Sequence, residues 1–110
     1  MATRCTFGYE TPDGRYRATY VHYDGYPNNM RRTLKSLTRD QVELFVTEGW
    51  LRGGIRSIDV SGPDYFNEPS WEGGRIHTAW PDRMESYAYM LKKDGSWVYV
   101  GHDVDGEQTL

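Results

Sequence analysis

The chain has 110 residues, a formal net charge of −3 and an aromatic-rich composition with 4 Trp, 9 Tyr and 3 Phe. That length fits one domain, no apolar run approaches the roughly 18 residues of a membrane span, and a single cysteine excludes an internal disulfide or a cysteine metal cluster within one chain. The charge is uneven, +3 over residues 1–35 and −5 over 62–110, so general nucleic-acid binding, which needs concentrated positive charge, is not expected.

The opening residues, MATRCTFGYE, lack a hydrophobic signal segment, and the expected location is cytoplasmic. From Thr3 to Glu10, residues Thr3, Cys5, Phe7 and Tyr9 alternate with Arg4, Thr6, Gly8 and Glu10, the period of a strand with one apolar face. Cys5 on that face is expected to be a buried thiol. Thr11-Pro12-Asp13-Gly14 is a turn signal, and the alternation resumes over Arg15–Tyr23, predicting a hairpin. Asp24-Gly25-Tyr26-Pro27 then breaks the strand. Pro27 is suited to the first turn of a helix, Asn28 and Asn29 are acceptable caps, and Met30, Leu34 and Leu37 recur at helical spacing. Thr38-Arg39-Asp40-Gln41 has the form of a capping box for a second helix with Val42, Phe45 and Val46 on its apolar stripe. Gly49 reads as its stop, with Trp50 and Leu51 tucked onto the core.

Residues 55–60 read as a short strand or irregular chain. Residues 61–82 are polar and rich in turn formers, yet contain Tyr65, Phe66, Trp71 and Trp80. Such a loop is expected to be functional rather than plainly disordered: its rings are either contact points for a partner or a lid over a sheet face. A second hairpin is predicted from Met84–Lys92, Lys93-Asp94-Gly95 and Ser96–Val100. The fold class is therefore α+β: an antiparallel sheet of about four strands in two hairpins, a helix pair inserted between them and packed on one face. The single domain is expected over residues 1–102, with 103–110 an acidic, mobile tail.

The corner His22-Tyr23-Asp24-Gly25-Tyr26-Pro27 is the first candidate site. It stands at a helix N-terminus, and Arg31, Arg32, Arg15 and Arg17 could complete a pocket for phosphate or an acidic group. The same residues also read as structural: a turn cap, a core plug and a strand hydrogen bond. The second candidate is the loop set Tyr65, Phe66 and Trp71, with Arg75, His77 and Arg83 adding anion-binding capacity. No nucleophile elbow, phosphate loop, dinucleotide fingerprint or paired-cysteine pattern is present, so neither an enzyme nor a cofactor is expected. A metal-dependent hydrolase from His22, Asp24 and His77 would require these residues to converge.

Tyr20-Val21-His22-Tyr23-Asp24-Gly25-Tyr26-Pro27 resembles a Tyr-x-His-Trp-Asp-Gly-Tyr-Pro segment of a loose group of small phage and prophage accessory proteins. The opening Ala2-Thr3-Arg4, the Asp13-Gly14 turn, Leu34 with its helix, and Tyr87–Tyr99 with Trp97 also fit. Tyr23 replaces the usual Trp, and residues 61–82 match weakly. The resemblance implies a phage-encoded accessory protein in the host cytoplasm and no particular reaction. The functional expectation is a non-enzymatic binding protein that inhibits a host or defence-system protein. The alternative is a protein that sequesters a nucleotide or other small anion at the corner. Exposed aromatics and short edge strands are compatible with a homodimer, and no membrane association is expected.

Overall fold

The computed structural model describes residues 2–68 and 74–110. Its elements are β1 (Cys5–Glu10), β2 (Tyr16–Val21), α1 (Pro27–Lys35), α2 (Arg39–Leu51), β3 (Ile55–Asp59), β4 (Gly62–Tyr65), β5 (Tyr87–Leu91), β6 (Trp97–Gly101) and β7 (Gln108–Thr109). The α+β class and both predicted hairpins are present. The strand count differs: the sheet has seven strands in the order β4-β3-β2-β1-β5-β6-β7, not about four. The hairpins β1–β2 and β5–β6 are antiparallel within themselves and meet through a parallel β1–β5 pair, with Cys5 opposite Tyr87 and Phe7 opposite Tyr89.

Alternation along the strands divides the sheet into two faces. Cys5, Phe7, Val21, Tyr89 and Tyr99 point toward the helices and join Met30, Leu34, Val42 and Val46 in the main core. Cys5 is fully buried, and burial first, then the nearby Glu85 charge, pushes its thiol well above the usual range, which disfavours a reactive thiolate. Tyr16, Ala18, Met90 and Val98 form a smaller cluster on the opposite face, with Trp80 packed against it.

The helix boundaries follow local chemistry. At α2, the Thr38 hydroxyl accepts from the Gln41 N–H at 3.2 Å, and the Gln41 side chain accepts from the Thr38 N–H at 2.8 Å, completing the predicted box. Neither Asn28 nor Asn29 caps α1. Tyr26 is the N-cap and supplies no side-chain bond, whereas the Asn29 amide reaches back to the Asp24 and Ile58 carbonyls. Gly49 is not a stop: α2 continues to Leu51. A Cβ at Gly49 would lie 2.0 Å from Thr19 Oγ1, so glycine permits the helix to approach β2 closely. With position 49 against the sheet, the following residues turn away by about 100° each, leaving Trp50 and Leu51 exposed rather than tucked in.

Four strand pairings lie outside the expected hairpins: β1–β5, the parallel contact of β2 with β3 at Val21 and Ile55, β3–β4 and β6–β7. Asp59 and Gly62 pair across a two-residue turn, with Asp59 Oδ1 accepting from the Ser61 N–H and Gly62 at φ 115°. At the other sheet edge, β7 pairs with β6, and Leu110 is buried. The expected mobile tail over 103–110 is therefore a docked edge, held also by the Tyr87 hydroxyl donating to Asp103 at 2.8 Å.

The aromatic core makes an alkaline prediction. Burial first, then the hydrogen bond to and charge of Asp103, pushes Tyr87 up to about 12. Burial also raises Tyr16 and Tyr89. A phenol raised in the folded state contributes stability that is complete below the unfolded value near 10 and is lost as pH rises through the folded value. Unfolding midpoints in urea should therefore decrease from about pH 10 upward. Tyrosinate absorbance should show a fraction of the nine tyrosines ionising only with unfolding. Ionisation of all tyrosines near pH 10 in a still-folded chain would contradict these assignments.

Candidate functional site

The corner after β2 is built mainly by its backbone. The N–H groups of His22 and Tyr23 donate to Ile55 and Arg56 carbonyls on β3 at 3.0 and 2.9 Å. Asp24 turns the chain at φ 60°, and its carbonyl accepts from Asn29 at 2.9 Å. The Gly25 N–H donates to the Thr3 carbonyl at 2.8 Å, while the Gly25 carbonyl accepts from the buried Tyr89 hydroxyl at 2.7 Å. Met30 N–H donates to Tyr26 and begins α1. Bonds from β3, β5, α1 and the lead to β1 thus converge on the five residues His22–Tyr26. The side chains on this frame point elsewhere: Tyr23 and Tyr26 are 45% and 41% exposed, and Asp24 is exposed.

An aromatic and cationic ladder adjoins the corner on the sheet face away from the helices. Tyr20 on β2 and His22, just past the end of that strand, share that face, and their Oη and Nδ1 lie 2.6 Å apart. The His22 ring meets Tyr23 edge-on at 4.5 Å and Phe66 at 5.8 Å between centroids. The Arg56 guanidinium lies 5.2 Å from the Phe66 ring centre, and that of Arg75 lies 5.8 Å from Tyr20. The ladder therefore runs Arg75, Tyr20, His22, Phe66, Arg56, with the exposed Tyr23 branching from His22.

Beneath its Arg75 end is a buried ionic cluster. Arg75 contacts Glu85 at 2.9 Å and Asp82 at 3.9 Å, and all three side chains are largely covered. Asp82 also accepts from the Thr6 hydroxyl at 3.1 Å and the Met84 N–H at 3.0 Å. Its lone pairs are thus occupied by the fold, and its role is to fasten residues 75–85 across the sheet. The same segment pairs with the edge of β2 through Thr78 N–H to the Tyr16 carbonyl, and Trp80 packs edge-on against Tyr16 at 5.0 Å. Part of the loop is therefore a lid, with Trp80 as its apolar element.

The predicted site residues separate accordingly. His22, Tyr23, Asp24, Tyr26 and Phe66 lie along the corner and ladder, and Arg75 anchors the ladder's buried end. Tyr65, by contrast, packs toward the main core with Arg52 over its ring at 5.0 Å. His77 and Arg83 are exposed, and Trp71 lies outside the described residues. The arginines proposed for a phosphate pocket do not assemble. Arg15 pairs with Asp13 at 3.4 Å in the β1–β2 turn, at the far end of β2. Arg17 shares the helix-facing side with Tyr9. Arg31 donates to the Leu110 carbonyl at 3.4 Å, and Arg32 is exposed. Among the described residues, no group of three His, Cys, Asp or Glu is arranged to hold a metal ion, so His22, Asp24 and His77 do not converge on one. Arg56 is not among the expected site residues: residues 55–60 read as a short strand or irregular chain, and nothing local to them places Arg56 beside Phe66, which follows the return strand after the Ser61-Gly62-Pro63 turn.

The chain matches no protein-family model, no curated protein and no solved structure. Among the described residues, no helix is long and apolar enough to cross a membrane.

Proposed function

We propose that this is a phage-encoded, non-enzymatic binding protein that inhibits a host or defence-system protein by docking through the Tyr23–Tyr26 corner and the Phe66–Arg56 end of the ladder. The observation that carries this reading is the contrast at the corner between a backbone held by four elements and two exposed tyrosines. Rings presented on a rigid frame offer large contact area with little conformational entropy to lose on association. Such residues recur as energetic centres of protein interfaces. The phage setting rests on the resemblance alone, whose specific part is the Asp24-Gly25-Tyr26-Pro27 corner.

A second reading, capture of a nucleotide, is favoured by Arg56 beside Phe66 and His22, since a base could stack and the guanidinium meet a phosphate. The two readings separate experimentally. Immobilised protein should retain a host protein saturably. Tyr23→Ala and Phe66→Ala should each weaken that complex by about tenfold or more without lowering the thermal midpoint. Equal capture by the double variant would remove the corner from the interface. A thermal midpoint raised by a nucleotide and by no protein would favour the second reading.

A further inference from the structure

We propose a separate small-molecule site for an organic anion with an apolar body, in the cleft between the α1–α2 junction and the β5–β6 hairpin. The cleft is an open groove of about 500 Å3, within the range of about 300–1,000 Å3 common for ligand sites. Leu37, with the small exposed fractions of the otherwise buried Leu91, Trp97 and Leu110, forms the apolar floor, and Lys35 and Arg39 add two cations at the rim. No carboxylate side chain is among the residues lining it, in a chain whose net charge is −3, and the carboxyl group of Leu110 at its edge has a cation of its own in Arg31, whose Nε donates to it at 3.4 Å. Neither cation has a carboxylate partner among the described residues. Glu10 and Glu43 line a different cleft that shares Arg39.

The local fold explains the arrangement. Lys35 ends α1 and Arg39 begins α2, so the short junction carrying Leu37 brings both charges to one rim. One Arg39 Nη donates to the Lys92 carbonyl at the β5–β6 turn, which orients the guanidinium and leaves other N–H groups for an anion. Leu91 and Trp97 are cross-strand partners on the helix-facing side. Together these features fit an aryl or acyl carboxylate, sulfonate or phosphate monoester: the body lies on Trp97 and the leucines, and the charged head meets Lys35 and Arg39. The corner and ladder contribute no lining residue, so this site stands independently of the proposed docking surface.

The test compares 1-anilinonaphthalene-8-sulfonate with N-phenyl-1-naphthylamine, the same rings without the anion, by calorimetry and fluorescence on the full chain. The sulfonate should bind one-to-one and about tenfold more tightly than the neutral analogue. Arg39→Met and Lys35→Met should each remove a large part of that difference. Thr109→Glu, an exposed substitution on the cleft wall that leaves the Lys92 contact intact, should do the same if Arg39→Met impairs folding. Equal affinity for the two probes, sulfonate binding unchanged in all three variants, or no saturable binding would overturn the proposal. Loss of sulfonate binding in Phe66→Ala would overturn it too, by placing the probe on the ladder.

Discussion

Replacing Arg75 by Met should destabilise the protein by about 3 kcal/mol, near the lower end expected when one member of a buried ionic group is removed. The chain would retain Asp82 and Glu85 close together on the covered sheet face, with their shared cation gone. Asp82 would keep the Thr6 and Met84 donors, while Glu85 would lose the 2.9 Å contact to Arg75. The loss should be measurable as a reduced urea midpoint at pH 7. It should shrink in Arg75→Met/Glu85→Gln, because the second change removes one uncompensated charge. A loss below about 0.5 kcal/mol would place Arg75 among solvent-screened surface ion pairs instead.

The second large effect is expected at Gly25. An alanine Cβ there would lie 2.8 Å from Cys5 Cβ, 2.9 Å from Cys5 Sγ and 2.9 Å from the Thr3 carbonyl oxygen. Cys5 is fully buried at the start of β1, and Thr3 accepts the Gly25 N–H, so neither neighbour can give way without moving the strand lead. A cost of about 2–4 kcal/mol follows from overpacking combined with a weakened buried hydrogen bond. Gly25→Ala should lower the thermal midpoint, whereas Asp24→Gly should have a small effect because glycine adopts a positive φ readily. If Gly25→Ala folds with unchanged stability, the corner is not the rigid frame described above. Its two exposed tyrosines would then lose their claim to be pre-organised anchors.

These residues also show where a linear reading succeeds. Alternating residues in β1, β2, β5 and β6 specify their two faces, because a strand's side chains have a period of two. The Thr38–Gln41 box was legible because its bonds close within one helical turn. The corner was legible as a break, through Gly25 and Pro27, and as a place of unusual chemistry. Its division of labour was not, since the partners that hold its backbone come from Thr3, Ile55, Arg56 and Tyr89. The expected arginine pocket failed for a related reason. Positive charge close in sequence is not charge close in space: Arg15 and His22 flank opposite ends of β2, and Arg17 faces the helices.

The α+β class, the two central hairpins, the inserted helix pair and the segment that forms the corner follow from the linear chain, because each depends on periodicity or on bonds between near neighbours. Tertiary structure alone decided the seven-strand order, the docking of β7, the use of residues 75–85 as a fastened cover and the meeting of Phe66 with His22 and Arg56. It also brought Lys35 and Arg39 to the same cleft as Trp97. Those outcomes depend on pairings between residues far apart in the chain, selected by the packing of whole elements, and no local pattern of residues encodes them.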